Sequence, residues 1–77
     1  MKYIRFDDPQ DTIVMFPVHV NHKTMARYYG DAPALSAGFV NLCNGRVECY
    51  GHSLGLNLSS KEEDSKILQK QIVAGRP

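Results

Sequence analysis

The chain has 77 residues and carries nine Lys and Arg against eight Asp and Glu, a net charge of +1. With its basic residues scattered, it lacks the basic excess or stripe that nucleic-acid binding calls for. A hydrophobic content of 43% and a charged content of 22% predict one globular domain over residues 1–77, and no apolar run approaches the ~18 residues of a membrane span.

Residues 2–6 read as a strand, and residues 7–11 as a turn set by Pro9 and its flanking aspartates. Residues 12–16 are β-branched and apolar, a second strand returning beside the first and ended by Pro17. Asn21 is placed to cap a helix over residues 22–29 that stops at Gly30, with Met25, Tyr28 and Tyr29 towards one side. Residues 31–34 connect onward. Asn44-Gly45 lies between two alternating runs, 36–43 and 46–50. That pair predicts a type I′ hairpin, which needs φ > 0 at both central residues. The turn sets a register: Leu42 opposite Val47 and Val40 opposite Cys49 on an inner face, Asn41 opposite Glu48 and Phe39 opposite Tyr50 on an outer one.

Residues 53–58 alternate, which predicts a third strand with Leu54, Leu56 and Leu58 on one face and Gly51 and Gly55 as possible bulge points. Ser60-Lys61-Glu62-Glu63 has the spacing of a capping box, Ser60 at the N-cap and Glu63 at N3. The helix it opens carries an apolar stripe of Ile67, Leu68, Ile72 and Val73, and Gly75 is its expected stop. The order is ββαβββα: an α+β fold, a small antiparallel sheet with the C-terminal helix packed on one face.

One string names a chemistry. Gly51-His52-Ser53-Leu54-Gly55 spells the G-x-S-x-G of a serine-hydrolase nucleophile elbow. The elbow needs a parallel sheet, a helix after the serine, and an acid and a histidine further along. Seventy-seven residues cannot hold that sheet, all three histidines (His19, His22 and His52) precede Ser53, and a strand-like period follows it. No enzyme is expected. His19 and His22 with Cys43 and Cys49 offer loose metal-ligand spacing, but hairpin parity points the two cysteines to opposite faces. No metal, cofactor or disulfide is therefore expected.

What remains is binding. Phe39 and Tyr50 lie off the expected core face, and Tyr28 and Tyr29 are adjacent, so one must leave it; with Arg27 these are the expected contact residues. A core this small gains from a partner subunit, so a homodimer is expected. The alternative is a nucleotide or anion site at the 51–55 segment, with Gly51, His52, Ser53 and Arg46 as contacts. The N-terminus lacks the apolar stretch of a secretion signal, which predicts a cytoplasmic protein with free thiols.

The segments Ser36-Ala37-Gly38-Phe39-Val40, Cys49 to Leu56 and Glu63-Asp64-Ser65-Lys66-Ile67-Leu68 resemble small accessory proteins carried by bacteria and their phages or prophages. The resemblance covers about half of the chain, residues 36–73, and brings no activity or site residue with it. It implies action by binding and blocking or regulating another molecule, read here as a protein.

Overall fold

The computed structural model describes residues 1–29 and 32–74. The elements are β1 (Lys2–Phe6), β2 (Ile13–Phe16), α1 (His22–Tyr29), β3 (Ala34–Cys43), β4 (Arg46–Tyr50), β5 (His52–Ser53), β6 (Leu58–Ser59) and α2 (Glu62–Ala74). The fold is α+β, as the sequence pattern predicts. A four-stranded antiparallel sheet has the order β2-β1-β3-β4, and β5 and β6 pair as a second, small sheet.

β1 lies inside the sheet because both of its faces are buried. Tyr3 and Arg5 point to one side, Ile4 and Phe6 to the other, and all four are buried. β2 and β3 both run antiparallel to β1 and hence parallel to each other. α1 makes the crossover between them, as a parallel connection requires. It packs on the Ile4 and Phe6 face, where Phe16, Ala37, Val20, Met25, Leu56 and Leu58 complete one core. α2 covers the opposite face, where Leu68 meets Tyr3, Val40 and Val47.

The hairpin register is the expected one. Val40 pairs with Cys49, Leu42 with Val47, and Phe39 with Tyr50. Asn44 and Gly45 both have positive φ, 52° and 79°, the turn geometry that Asn-Gly supplies. Cys43 is exposed and Cys49 is half-buried on the α2 side, both as free thiols. Burial pushes the Cys49 thiol up to about 11. β3 begins two residues earlier than its pattern suggests, because Ala34 pairs with Phe6 across a bulge between Arg5 and Phe6.

Three local expectations are corrected. Residues 53–58 are not one strand: residues 54–57 form a turn between β5 and β6. Asn57 takes φ 54° and its N–H donates to the Leu54 carbonyl, so turn chemistry wins over the leucine alternation. Leu56 and Leu58 reach the core while Leu54 is thrown out to solvent. The capping box is offset by one residue. The Lys61 N–H donates to Asp64 Oδ2 at 3.0 Å, which makes Lys61 the N-cap and Asp64 the reciprocating acid in place of Ser60 and Glu63. On α2, Leu68 is buried and Ile67 and Ile72 are half-buried, but Val73 is exposed, so the core stripe is narrower than its four residues. The expected stops Gly30 and Gly75 lie outside the described residues. No described helix is long and apolar enough to cross a membrane.

α2 also closes one sheet edge. On β4 the Val47 N–H donates to Gln69 Oε1 at 3.0 Å and the Cys49 N–H to Ser65 Oγ at 2.9 Å. Two outward donors of an edge strand are thereby occupied, which blocks pairing with another strand.

Candidate functional site

The α1 face carries a cleft of about 420 Å³. Phe39 forms its floor, the N-terminus of α1 (Asn21 and His22) one wall, and the segment from Tyr50 to Gly55 the other. Each side is held by local chemistry. Asn21 Oδ1 accepts the Thr24 N–H at 3.0 Å and so starts α1 at this point. Phe39 stacks on Tyr50 across the hairpin, ring centroids 5.8 Å apart at 30°. Gly51 takes φ 79° and turns the chain out of β4 directly over the Phe39 ring.

His22 is the wedge of this site. It is buried, edge-on to Phe16 at 5.4 Å and to Phe39 at 5.9 Å. Its Nε2 lies 2.9 Å from the Gly38 carbonyl oxygen, so Nε2 carries the proton and donates. Burial lowers its pKa from the ordinary 6.5, and nearby Lys2 adds to that. Lys2 Nζ is itself engaged, donating to the Val20 carbonyl at 2.9 Å. The fold thus binds a neutral imidazole more readily than a charged one. The stability contributed is complete above about pH 6.5 and is lost as pH falls through the lowered folded-state pKa. Denaturation midpoints should therefore begin to drop as pH falls below about 6.5, and His22→Gln should remove that slope. An unchanged slope in the variant would show that another group is responsible.

A different cluster sits on the α2 face. The buried Arg5 guanidinium meets Asp64 at 3.0 Å, Asp11 at 3.0 Å and Glu63 at 3.3 Å. The Tyr3 hydroxyl donates to Asp64 Oδ2. Burial works against the Asp64 charge, yet the bonds from Tyr3, the Lys61 N–H and Arg5 hold its carboxyl below the usual range. Burial, reinforced by Asp64, drives the Tyr3 phenol far up. The Ser36 hydroxyl is buried beside the pair with no partner of acceptable geometry. Asp11 and Glu63 are partly exposed, whereas Asp64 is fully enclosed, so the cluster ties α2 to β1 and leaves no accessible reactive group at its centre. Among the described residues no three His, Cys, Asp or Glu converge as a metal site would need. Sequence reading missed this cluster, although Tyr3 and Arg5 share a strand parity that puts both under the C-terminal helix.

The five expected contact residues separate into two groups. Phe39 and Tyr50 meet at the cleft, but the outer face is not open: His22 and α1 cover much of it. Tyr29 stacks on Phe6 at 4.8 Å, at the far end of β1 from the Lys2–Phe39 pair. Tyr28 is 87% exposed and Arg27 is exposed beside it. The alternative ligand residues also divide. Gly51, His52 and Ser53 line the cleft, while Arg46 lies at the opposite end of β4. Leu54, 87% exposed, lines the cleft as well and was missed because the alternation put it on one face with Leu56 and Leu58.

Ser53 has a local task. It is buried, and its Oγ accepts the Leu56 N–H at 3.3 Å, holding the 54–57 turn. His52 is exposed on the neighbouring position of the same strand. Comparison with known protein families, curated proteins and solved structures gives no match.

Proposed function

We propose that the protein is a protein-interaction module, an inhibitor or regulator of another protein of the kind bacteria or phages encode. Its contact surface is the cleft floored by Phe39 and bordered by Tyr50 and Leu54. The observation that carries this reading is the pairing of two exposed apolar side chains, Tyr50 at 48% and Leu54 at 87%, on the border of one concave site. An aromatic anchor beside a preformed cleft is the arrangement in which a few residues supply most of the binding energy. The partner inserts an apolar side chain over Phe39, and a second copy of the chain is one such partner. An anion is less well served: Lys2 is committed to Val20, His22 is held neutral, and Arg46 is elsewhere.

Tyr50→Ala combined with Leu54→Ala is expected to weaken partner or self-association by about tenfold or more. Circular dichroism and thermal midpoint should stay near the parent values, since both side chains lie largely outside the core. Quantitative pull-down and sedimentation velocity on the parent and the double variant decide it. Equal association by both proteins would remove the cleft as the contact surface. A large thermal shift with a nucleotide or phosphate, lost in the same variant, would favour the small-ligand reading.

A further inference from the structure

A second concave surface lies on the opposite side of the sheet, between the β4 edge and α2. It is a groove of about 890 Å³. Lys66, Gln69, Lys70 and Val73 follow one another at helical spacing along α2 and form one wall; Arg46 and Val47 of β4 form the other. Val73 is 62% exposed, and Leu42, paired with Val47 on the same face of the sheet, is 58% exposed. Among the described residues, Arg46, Lys66 and Lys70 enter no salt bridge; the ion pairs all belong to Arg5. Glu62, one turn before Lys66, does not pair with it, and Glu63 and Asp64 are turned to Arg5. The groove therefore carries three cations that make no salt bridge, with Val73 as its exposed apolar residue and Val47 largely buried at its base.

We infer that this groove docks an acidic amphipathic helix of a partner protein. Apolar residues of that helix would lie against the exposed Val73 and Leu42, and its carboxylates would meet Arg46, Lys66 and Lys70. Charge complementarity selects an acidic partner. The edge chemistry selects a helix. The outward N–H groups of Val47 and Cys49 already donate to Gln69 and Ser65, so an incoming strand would find those donors taken. A helix arrives with its backbone bonds satisfied and uses side chains alone. Nucleic acid is a poorer fit, because the groove presents aliphatic residues and no aromatic ring on which bases could stack. The site is independent of the Tyr50 and Leu54 cleft.

The test uses the full chain and a fluorescent synthetic helix with leucines on one face and glutamates on its flanks. Controls are the same peptide with lysine for every glutamate, an oligo-dT strand, and phosphatidylserine vesicles. Fluorescence anisotropy should show salt-sensitive binding of the acidic peptide, weakened about tenfold or more by Lys66→Glu with Lys70→Glu. Amide shifts in a two-dimensional nitrogen–proton spectrum should map to β4 and α2, and Tyr50→Ala should leave both readouts unchanged. The Lys66 and Lys70 side chains are exposed, so the charge-reversed protein should fold, which circular dichroism verifies. Val73→Ser supplies a second, uncharged variant that should also weaken binding. The inference fails if the acidic peptide does not bind, if the lysine peptide binds equally, or if the shifts map to the other face. It also fails if oligo-dT or vesicles occupy the groove more tightly than the peptide.

Discussion

Replacing Asp64 with alanine should cost about 3–5 kcal/mol of folding free energy, the scale for breaking a buried pair from one side. A domain of this length has only roughly 4–12 kcal/mol in total, so the variant should be largely unfolded at moderate temperature. The reasons are local and additive in kind. Arg5 loses its one fully buried partner and the Tyr3 hydroxyl loses its acceptor. The Lys61 N–H at the start of α2 loses its cap. Asp64→Asn should cost less, because the amide oxygen can still accept from Lys61 or Tyr3 but offers Arg5 no charge. Tyr3→Phe should cost least, removing one donor while keeping the ring in the core. Urea unfolding followed by circular dichroism ranks the three. An Asp64→Ala cost below about 1 kcal/mol would mean that α2 is held by Leu68 and its neighbours alone.

The same carboxylate gives the domain an acid limit. The folded state holds Asp64 below its ordinary pKa, so the stability it contributes is present above the unfolded carboxylate pKa and is lost as pH falls through the folded value. That loss lies below the His22 range, and the two should separate. The decline that begins as pH falls below about 6.5 belongs to His22, and the one that begins below about pH 4 belongs to Asp64. In Asp64→Asn the lower step should be absent while the upper one remains.

How much of this was legible depends on the range of the interaction. The hairpin was readable residue by residue because Asn44-Gly45 admits one turn geometry, and a two-residue turn sets the pairing of every position behind it. The two helices were readable from Asn21 and from period, and the α2 packing face in Ile67, Leu68 and Ile72 but not in Val73. The Arg5–Asp64 and Tyr3–Asp64 bonds join residues 59 and 61 positions apart, and no local pattern encodes a contact of that range. Strand parity puts Tyr3 and Arg5 on one face of β1, which is the one sequence signal available for it. The capping box failed by a single residue for the same reason. Ser60 and Glu63 fit the local spacing, but the acid that reaches back is the one that Arg5 and Tyr3 hold in place. Residues 54–57 failed differently, since a period of two is shared by a strand and by a turn whose ends pair.

The glycines of the cleft region set the other large effect. Gly38→Ala should cost about 3 kcal/mol, at the upper end for overpacking. A β-carbon there would stand far inside contact distance of the Tyr50 carbonyl oxygen, with the Gly51 backbone carbon at 3.3 Å behind it. Backbone cannot swing aside as a side chain does, so β3 and the start of the 51–55 segment must move apart. Gly38 also supplies the carbonyl that holds His22, and the displacement therefore reaches both walls of the cleft. Gly51→Ala should cost less but still destabilise: its φ of 79° strains any side chain, and the new β-carbon would lie 3.0 Å from Phe39 Cδ2. Gly55→Ala should be neutral or stabilising by up to about 1 kcal/mol. Its φ is not in the positive region, and its β-carbon would meet only Lys23 Cβ, at an ordinary 3.7 Å. Thermal midpoints should then fall in the order Gly55→Ala, Gly51→Ala, Gly38→Ala, from highest to lowest. A chain that tolerates alanine at Gly55 while rejecting it at Gly51 and Gly38 needs those two glycines to bring the backbone close to Phe39 and Tyr50.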